Sequence, residues 1–415
     1  MTRDRAAARR LALARFVSVF GSSAASVALS WHLWETTRSS GWVAAAFLSG
    51  SLVLGLASMP AGMLADRVDR RRLMIASDLA AAACFGLLAV AAWTDAPPLV
   101  LVLLMALGAL AESPFMAASQ AAIPNLVEDA DLAWANALLA RIQTIVSMVA
   151  PAAGGALAGL LGTQAVLGAN AVSFVASAVL VASIAVRFNR DLGSERVAES
   201  VTDDTGPTRT RAIRIAWRDP LLRATIFPGF VAFVGVGFAA VANPRLAERY
   251  DLGAFGLGVL WSAPMVGALV ASLVVRRLLE PGREFGVVVA GFALHGVGLG
   301  IVSVTDPLAL ALTGMFVLGI GIGITAPARQ TIIQRRSTDD VRGSLFGLME
   351  SIGWISFAVS GVAAGWFVDG VGTRGAYGVA ASLFFAGVGL QLMLRTGRAS
   401  PPPLDAAARP AAAPR

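Results

Sequence analysis

Twelve apolar stretches, each about the length needed to cross a bilayer as a helix, dominate the sequence. A spanning helix needs roughly 20 mostly apolar residues. Six such stretches lie at 16–34, 41–65, 73–93, 99–123, 136–160 and 165–186, and six more at 222–241, 255–275, 285–304, 308–328, 344–368 and 376–394. Because open sheet edges do not persist in hydrocarbon, the pattern predicts an all-α membrane protein with twelve transmembrane helices.

Composition leaves no material for a large soluble domain. Of the 415 residues, 56% are apolar and 14% are charged, whereas soluble domains have about 45–50% and 25%. Cys84 stands alone in an apolar stretch, and His32 and His295 lack acidic or thiol neighbours at ligand spacing. The sequence therefore predicts no metal site and no cofactor.

Basic residues indicate the orientation of the chain. The net charge is +7, and every basic residue is Arg. On one predicted side they lie in the N-terminal segment, the central segment, the C-terminal tail and three loops, at Arg67, Arg70, Arg71, Arg72, Arg276, Arg277, Arg283, Arg335, Arg336 and Arg342; the other side has Arg38, Arg245, Arg249 and Arg374. The positive-inside rule predicts a multi-pass protein of the cell membrane with both termini cytoplasmic. Without a folded basic domain, no nucleic-acid partner is predicted.

The two sets of six stretches are predicted to be related repeats. Residues 118–123, followed by acidic residues, have a counterpart about 210 residues later at 328–333. Parallel repeats related by an axis along the membrane normal occur in alternating-access transporters. We therefore predict an N-terminal six-helix bundle at 1–187, a flexible cytoplasmic linker at 188–220, a C-terminal six-helix bundle at 221–396 and a disordered tail at 397–415.

The sharpest local motif occupies residues 62–71, between the second and third stretches. It contains Gly62, where helices can approach closely, then Asp66 and Arg67, then Arg70 and Arg71. This segment resembles the signature Gly-x-Leu-Ala-Asp-Arg/Lys-x-Gly-Arg-Arg/Lys of the major facilitator superfamily, with Asp69 at the position of its second Gly. The resemblance implies a conformational-switch loop, whereas an ordinary orientation-setting basic loop is the alternative.

Further segments resemble one branch of that superfamily. Residues 121–127, 134–138, 169–174 and 329–331 are similar to the bacterial branch of enterobactin exporters and macrolide efflux pumps. Membership would imply a lipid-embedded, monomeric transporter of a small molecule, with protons as the coupling ion. Pro151, Gly154 and Gly155 resemble the end of the helix 5 antiporter motif; alternatively, they form a packing face of small residues.

Charged side chains within apolar stretches are functional candidates by default. Glu112, near the middle of the fourth stretch, is the leading proton-coupling candidate, with a structural hydrogen-bonding carboxyl as the alternative. Further charges in predicted cytoplasmic thirds of spans form a candidate inner gate: Asp78, Arg141, Arg329 and Glu350. The two arginines among them are alternatively explained by snorkelling to the interface. Glu35 and Arg38 are interpreted as outer-gate or solvated loop charges.

Together these features predict a secondary active transporter rather than an enzyme. No phosphate-binding loop follows a strand, and no nucleophile has a soluble scaffold around it. A largely apolar central cavity favours a hydrophobic or amphiphilic cargo, such as a drug, a macrolide or a siderophore-like molecule. Export by alternating access is the leading hypothesis; a proton-coupled importer and a non-transporting membrane sensor or scaffold are the alternatives.

Overall fold

The computed structural model describes residues 5–128, 131–184, 208–337 and 339–396, and every element in these ranges is a helix. The helices are α1 (Arg5–Thr37), α2 (Ser40–Arg67), α3 (Arg70–Trp93), α4 (Pro98–Leu126), α5 (Leu132–Leu161), α6 (Thr163–Ala182), α7 (Thr208–Arg218), α8 (Pro220–Ile226), α9 (Pro228–Arg249), α10 (Gly253–Leu278), α11 (Glu284–Val304), α12 (Leu308–Arg336) and α13 (Asp339–Arg395). The chain is therefore an all-α protein in its described part.

Ten helical stretches of the described residues are long and apolar enough to cross a membrane. Two further rods lie beside them: α2, with 28 residues, and the first part of α13. Gly372 divides α13 into segments 339–371 and 373–395, because its φ of 70° and ψ of 179° interrupt the helix in a region that favours glycine. This architecture is consistent with the twelve predicted spans.

The helices form two bundles with the same internal packing. In the N-terminal half, defined here as α1–α6, α3 packs on α4 and α6, α2 packs on α4, and α1 packs on α5 and α6. In the C-terminal half, α8–α13, α11 packs on α12 and α13, α10 packs on α12, and α9 packs on α13. Each half therefore repeats one arrangement of neighbours, as internal repeats require.

Contacts between the halves follow the same repeat. Gly258 of α10 lies against the carbonyl of Pro151 on α5, and Gly361 of α13 lies against Leu48 of α2. Both positions of one contact are offset by 210 residues from those of the other. The two interfaces, α5 with α10 and α2 with α13, are thus related by a pseudo-two-fold axis between the halves.

Residues 5–15, which precede the first apolar stretch, form the start of α1. Ala7, Ala8 and Leu11 are buried in a cluster with Phe115 and Ile123 of α4. Alanine, leucine and arginine are strong helix formers, so the helix begins before the apolar stretch, where one of its faces is covered by α4.

The face at which α1 begins and α13 ends is called the terminal face below, and the other end is the opposite face.

The segment predicted as a linker is described only from residue 208. Residues 208–218 form α7, in which Ala212 and Ala216 are buried against the C-terminal half, while Arg214 and Arg218 are exposed. Asp219 then caps α8 by accepting hydrogen bonds from the N–H groups of Leu221 and Leu222. Residues 188–207 and the predicted tail at 397–415 lie outside the described part.

Candidate functional site

A cavity of about 810 Å³ lies between the two halves. Its wall is mostly apolar, with aromatic and methionine side chains from both halves: Phe47, Phe85, Met105, Met116, Phe233, Trp261, Met265, Met349, Trp354 and Phe357. Ligand sites of this size enclose a small molecule and use few polar groups to orient it. The predicted apolar character of the central cavity thus agrees with the structure.

Glu112 of α4 is part of this wall. Its two carboxylate oxygens accept hydrogen bonds from Ser22 of α1, at 3.3 and 3.2 Å. Ser22, Ser26 and Ser30 stand one turn apart on α1 and all line the cavity. This row of hydroxyls gives the N-terminal half a polar stripe at an otherwise apolar wall.

Ser77 of α3 holds α4 beside Glu112. Its hydroxyl donates to the carbonyl of Ala111 and accepts from the N–H of Phe115 at 3.1 Å. The residues on either side of Glu112 are therefore fixed to α3, which sets the side from which the carboxyl enters the cavity.

The four predicted inner-gate charges do not meet in this structure. Arg329 and Glu350 line the cavity, and Arg141 is exposed on α5. Asp78, in contrast, is 1% exposed on α3, which packs within the N-terminal half on α4 and α6. Asp78 therefore departs from the gate prediction, because a side chain enclosed in one half cannot reach the other half while that bundle stays packed.

The halves are joined near the opposite face by a polar network that we call the latch, formed by Trp34, Arg38, Ser40, Arg245, Glu248 and Asp369. Arg38 forms an ion pair with Glu248, which also accepts a hydrogen bond from Trp34 Nε1 at 3.0 Å. The N–H of Ser40 donates to Asp369 at 3.3 Å. Arg38, interpreted from the sequence as an outer-gate or solvated loop charge, thus contacts the other half while remaining exposed.

Sequence reasoning did not single out Arg245, Glu248 or Asp369. Arg245 lies 3.6 Å from Asp369 and its guanidinium stands 5.6 Å from the centre of the Trp34 ring. All three residues lie near helix ends, where charges are common. The sequence feature that could have identified the Arg38–Glu248 pair is its spacing of 210 residues, which matches the internal repeat.

The helix 5 motif contributes to contacts within the N-terminal half and to contacts between the two halves. A Cβ on Gly154 would lie 2.5 Å from the Cα of Ala24 on α1, within the half, and a Cβ on Gly155 would lie 2.2 Å from the carbonyl oxygen of Ala254, across the halves. Pro151 lines the cavity and, lacking an N–H, leaves the carbonyl of Ser147 without its helical donor. The next N–H, of Ala152, donates to Ser262 of α10 at 3.1 Å.

The loop motif is described in part. Gly62, Asp66 and Arg67 fall in the last turns of α2, and their side-chain environments lie outside the described part. Asp69, at φ −61°, caps α3 by accepting from the N–H of Arg72, so this position does not need a glycine. Arg70 donates to the carbonyl of Ala121 at 2.8 Å, and Arg71 donates to that of Ala182.

The contacts between the halves described above are found beside the cavity and between the cavity and the opposite face. Phe47 of α2 stacks on Trp261 of α10 at 5.2 Å and meets Phe357 of α13 edge-on at 6.2 Å. At the terminal face, by contrast, Arg141 and Gln143 of α5 and Glu350 of α13 are exposed. The cavity is therefore closed toward the opposite face by aromatic packing and the latch.

Similar proteins with known structures share this architecture over nearly their whole length. A nucleoside transporter, NupG, superposes with a TM-score of 0.74 at 12% identity, covering 94% of this chain and 100% of that one. A bacterial homologue of the iron transporter ferroportin, in an inward-facing state, gives a TM-score of 0.72 at 16% identity, covering 94% and 99%. At these identities the likeness establishes the fold.

Relatives in sequence cover most of the chain as well. The multidrug efflux pump Tap of Mycolicibacterium fortuitum is 25% identical over 370 residues, covering 86% of this chain and 88% of Tap. The enterobactin exporter EntS of Salmonella typhimurium is 24% identical over 417 residues, covering 96% and 95%. The family model described as Major Facilitator Superfamily matches residues 11–353 and 226–414. The chain therefore belongs to the major facilitator superfamily, and it is a multi-span membrane transporter rather than an enzyme.

Proposed function

We propose that the protein exports a small hydrophobic or amphiphilic molecule from the cell by alternating access, in exchange for protons. The observation that carries this proposal is the cavity between the two halves, lined by aromatic and methionine side chains and containing the carboxyl of Glu112. The sequence similarity to an efflux pump and to an enterobactin exporter supports export as the direction.

The proposed orientation places the terminal face in the cytoplasm. The excess of arginine in segments of that face supports this assignment. With that orientation, the closed latch and the exposed Arg141 and Glu350 correspond to an inward-facing state. Cargo would enter from the cytoplasm or inner leaflet, and opening of the latch would release it outside.

Glu112 is the proposed proton carrier. Protonation would remove the one charge that α4 presents to the cavity wall, and the hydroxyl of Ser22 supplies a hydrogen-bond partner in either state. Exchange follows if cargo and proton occupy the site in alternation. Because most of the cavity lining is apolar, the cargo must be largely apolar as well.

The test is a pH-gradient assay in proteoliposomes with a pH-sensitive dye inside. Macrolides, siderophores and lipophilic cations are added in turn to wild-type protein, Glu112→Gln and the control Glu35→Gln, whose carboxyl is exposed near the opposite face. We expect at least one compound to release protons with wild type and control but not with Glu112→Gln. Equal proton release by Glu112→Gln would contradict the assignment of Glu112, and no release by any folded protein would contradict proton-coupled transport of these classes.

A further inference from the structure

Arg329 of α12 is a buried cation in the wall of the cavity. Its residue is 6% exposed, and it is the single basic side chain among the described residues that line the cavity. Its Nε has no hydrogen-bond partner, and within the described part of the chain its guanidinium forms no ion pair. A buried charge without an ion-pair partner is unfavourable, so this arginine is a candidate for binding a ligand.

The guanidinium is held in place by α9. A Cβ on Gly229 would lie 3.2 Å from one terminal nitrogen of Arg329, so the absence of a side chain at position 229 makes room for it. One turn further along α9, the ring of Phe233 lies with its centre 5.7 Å from the Arg329 Cζ. A guanidinium stacked in this way keeps its planar edge, with several N–H donors, available for a second partner.

Neither acidic residue of the cavity wall supplies that partner. Glu112 belongs to the other half and accepts from Ser22. Glu350 attracts Arg329 electrostatically but is itself exposed, where water hydrates its carboxylate. In the C-terminal half's part of the wall, the buried charge is therefore positive.

The surroundings of Arg329 favour a ligand with one acidic group and an apolar body. Phe233, Met349 and Trp354 line the cavity in the same half. A carboxylate or sulfonate can form a bidentate, charge-assisted pair with a guanidinium, while aromatic and thioether side chains cover an apolar body.

We infer that the cavity binds an anionic amphiphile, with its acidic group on Arg329 and its apolar body against Phe233, Met349 and Trp354. This inference rests on the proposed transport function and narrows its cargo from hydrophobic molecules in general to hydrophobic acids. Arg329 thereby acts as the specificity-determining residue of the site.

Three pyrene probes of similar size test the inference: 1-pyrenebutyrate, 1-pyrenebutanol and 4-(1-pyrenyl)butylamine. Binding to purified full-length protein is followed by energy transfer from tryptophan, since Trp261 and Trp354 line the cavity. With wild type we expect the acid to bind about tenfold or more tightly than the alcohol and the amine. Arg329→Gln should bring acid and alcohol to equal affinity with the alcohol unchanged.

Two further variants keep the test decisive. Arg329→Lys retains the charge but loses the planar fork, so it should keep part of the preference for the acid, and it carries the test if Arg329→Gln does not fold. Glu350→Gln, which removes the nearby carboxylate that attracts Arg329, should tighten binding of the acid. Tightest binding of the amine, equal weakening of all three probes by Arg329→Gln, or loss of acid preference in Glu350→Gln would each overturn the inference.

The binding assay separates this inference from the proposed function. Preference for the acid without any proton release in proteoliposomes would retain the anion site and reject proton-coupled export. Proton-coupled transport without any preference among the three probes would retain the function and reject the anion site.

Discussion

Arg38 at the end of α1 and Glu248 at the end of α9 form an ion pair across the two halves of the transporter. They stand 210 residues apart, the spacing of the internal repeat, so they occupy equivalent positions on either side of the pseudo-two-fold axis. Both side chains are substantially exposed, at 60% and 41%. An exposed pair of this kind contributes about 1 kcal/mol or less, which suits a contact that must open.

Neutralising this pair is expected to open the opposite face. In Glu248→Gln the loss of roughly 1 kcal/mol would raise the ratio of open to closed molecules about fivefold. Spin labels at Thr94 and Leu310, which lie near the opposite face in different halves, report the change by double electron–electron resonance in a Cys84→Ser background. A larger population of long distances is expected for Glu248→Gln and for Arg38→Gln.

The charge-reversed double variant, Arg38→Glu with Glu248→Arg, is the matched control. It should restore most of the short distances, because the pair is re-formed with opposite polarity. Single variants that leave the distance distribution unchanged would mean that this ion pair does not hold the closed state.

Gly155 is expected to be essential for the close approach of α5 and α10. In Gly155→Ala, a Cβ 2.2 Å from the carbonyl oxygen of Ala254 would force the helices apart, at a cost of about 1–3 kcal/mol to the closed state. The same spin-label pair should shift toward longer distances. Gly159→Ala, one turn away with nothing within 4 Å of a Cβ, should behave as wild type.

Gly154→Ala should have a different effect, because its contact is with Ala24 inside the N-terminal half. We expect a lower Tm in detergent without a selective gain of long distances between the halves. A Tm equal to that of wild type would show that α1 and α5 separate at little cost.

Acid is expected to weaken the contact between the start of α1 and the start of α5. Arg5 donates hydrogen bonds to Asp131 at 2.8 and 2.5 Å, and these bonds hold the pKa of the Asp131 carboxyl below its usual range. A lowered folded-state pKa stabilises the fold above the ordinary carboxyl pKa of about 4, and this stabilisation is lost as the pH falls through the lower, folded-state value.

Thermal melts of wild type and Asp131→Asn between pH 7 and pH 3 measure this contribution. The variant should melt below wild type at pH 7, and the two curves should converge at the acid end. Glu128→Gln, at an exposed neighbouring carboxyl, serves as the control. A constant difference between wild type and Asp131→Asn at every pH would contradict the role of this ion pair.

Arg71 is expected to stabilise the N-terminal half by binding the end of α6. Its guanidinium donates to the carbonyl of Ala182, the last residue of that helix, where unpaired carbonyls concentrate negative charge. Arg71→Gln should lose about 1 kcal/mol of stability and melt at a lower temperature, whereas Arg72→Gln, at the exposed neighbouring position, should not. Equal melting of both variants would mean that the contact of Arg71 with Ala182 does not stabilise the N-terminal half.

The fold class followed from the sequence because the bilayer imposes a simple rule on it. Backbone polar groups in hydrocarbon must be satisfied within the segment, so an apolar stretch of about 20 residues becomes a helix whatever its neighbours are. The echo between residues 118–123 and 328–333 then predicted two related halves. The position of Glu112 at the cavity was accessible for a similar reason, since charged residues in spans avoid lipid, whereas Arg329 was predicted as an inner-gate charge.

The contacts of individual side chains required the tertiary structure. A span that is apolar on all sides does not record which face meets lipid and which meets another helix, so Asp78 could not be assigned to the interior of one half in advance. Glu248 and Asp369 resemble ordinary loop charges in the sequence, and only the packing of α9 and α13 against α1 and α2 makes them a latch. The sequence by itself thus determined the helical character of the spans and the repeat, because these depend on local hydrophobicity. The tertiary structure determined the latch, the residues of the cavity wall and the surroundings of Arg329, because these depend on the packing of helices far apart in the chain.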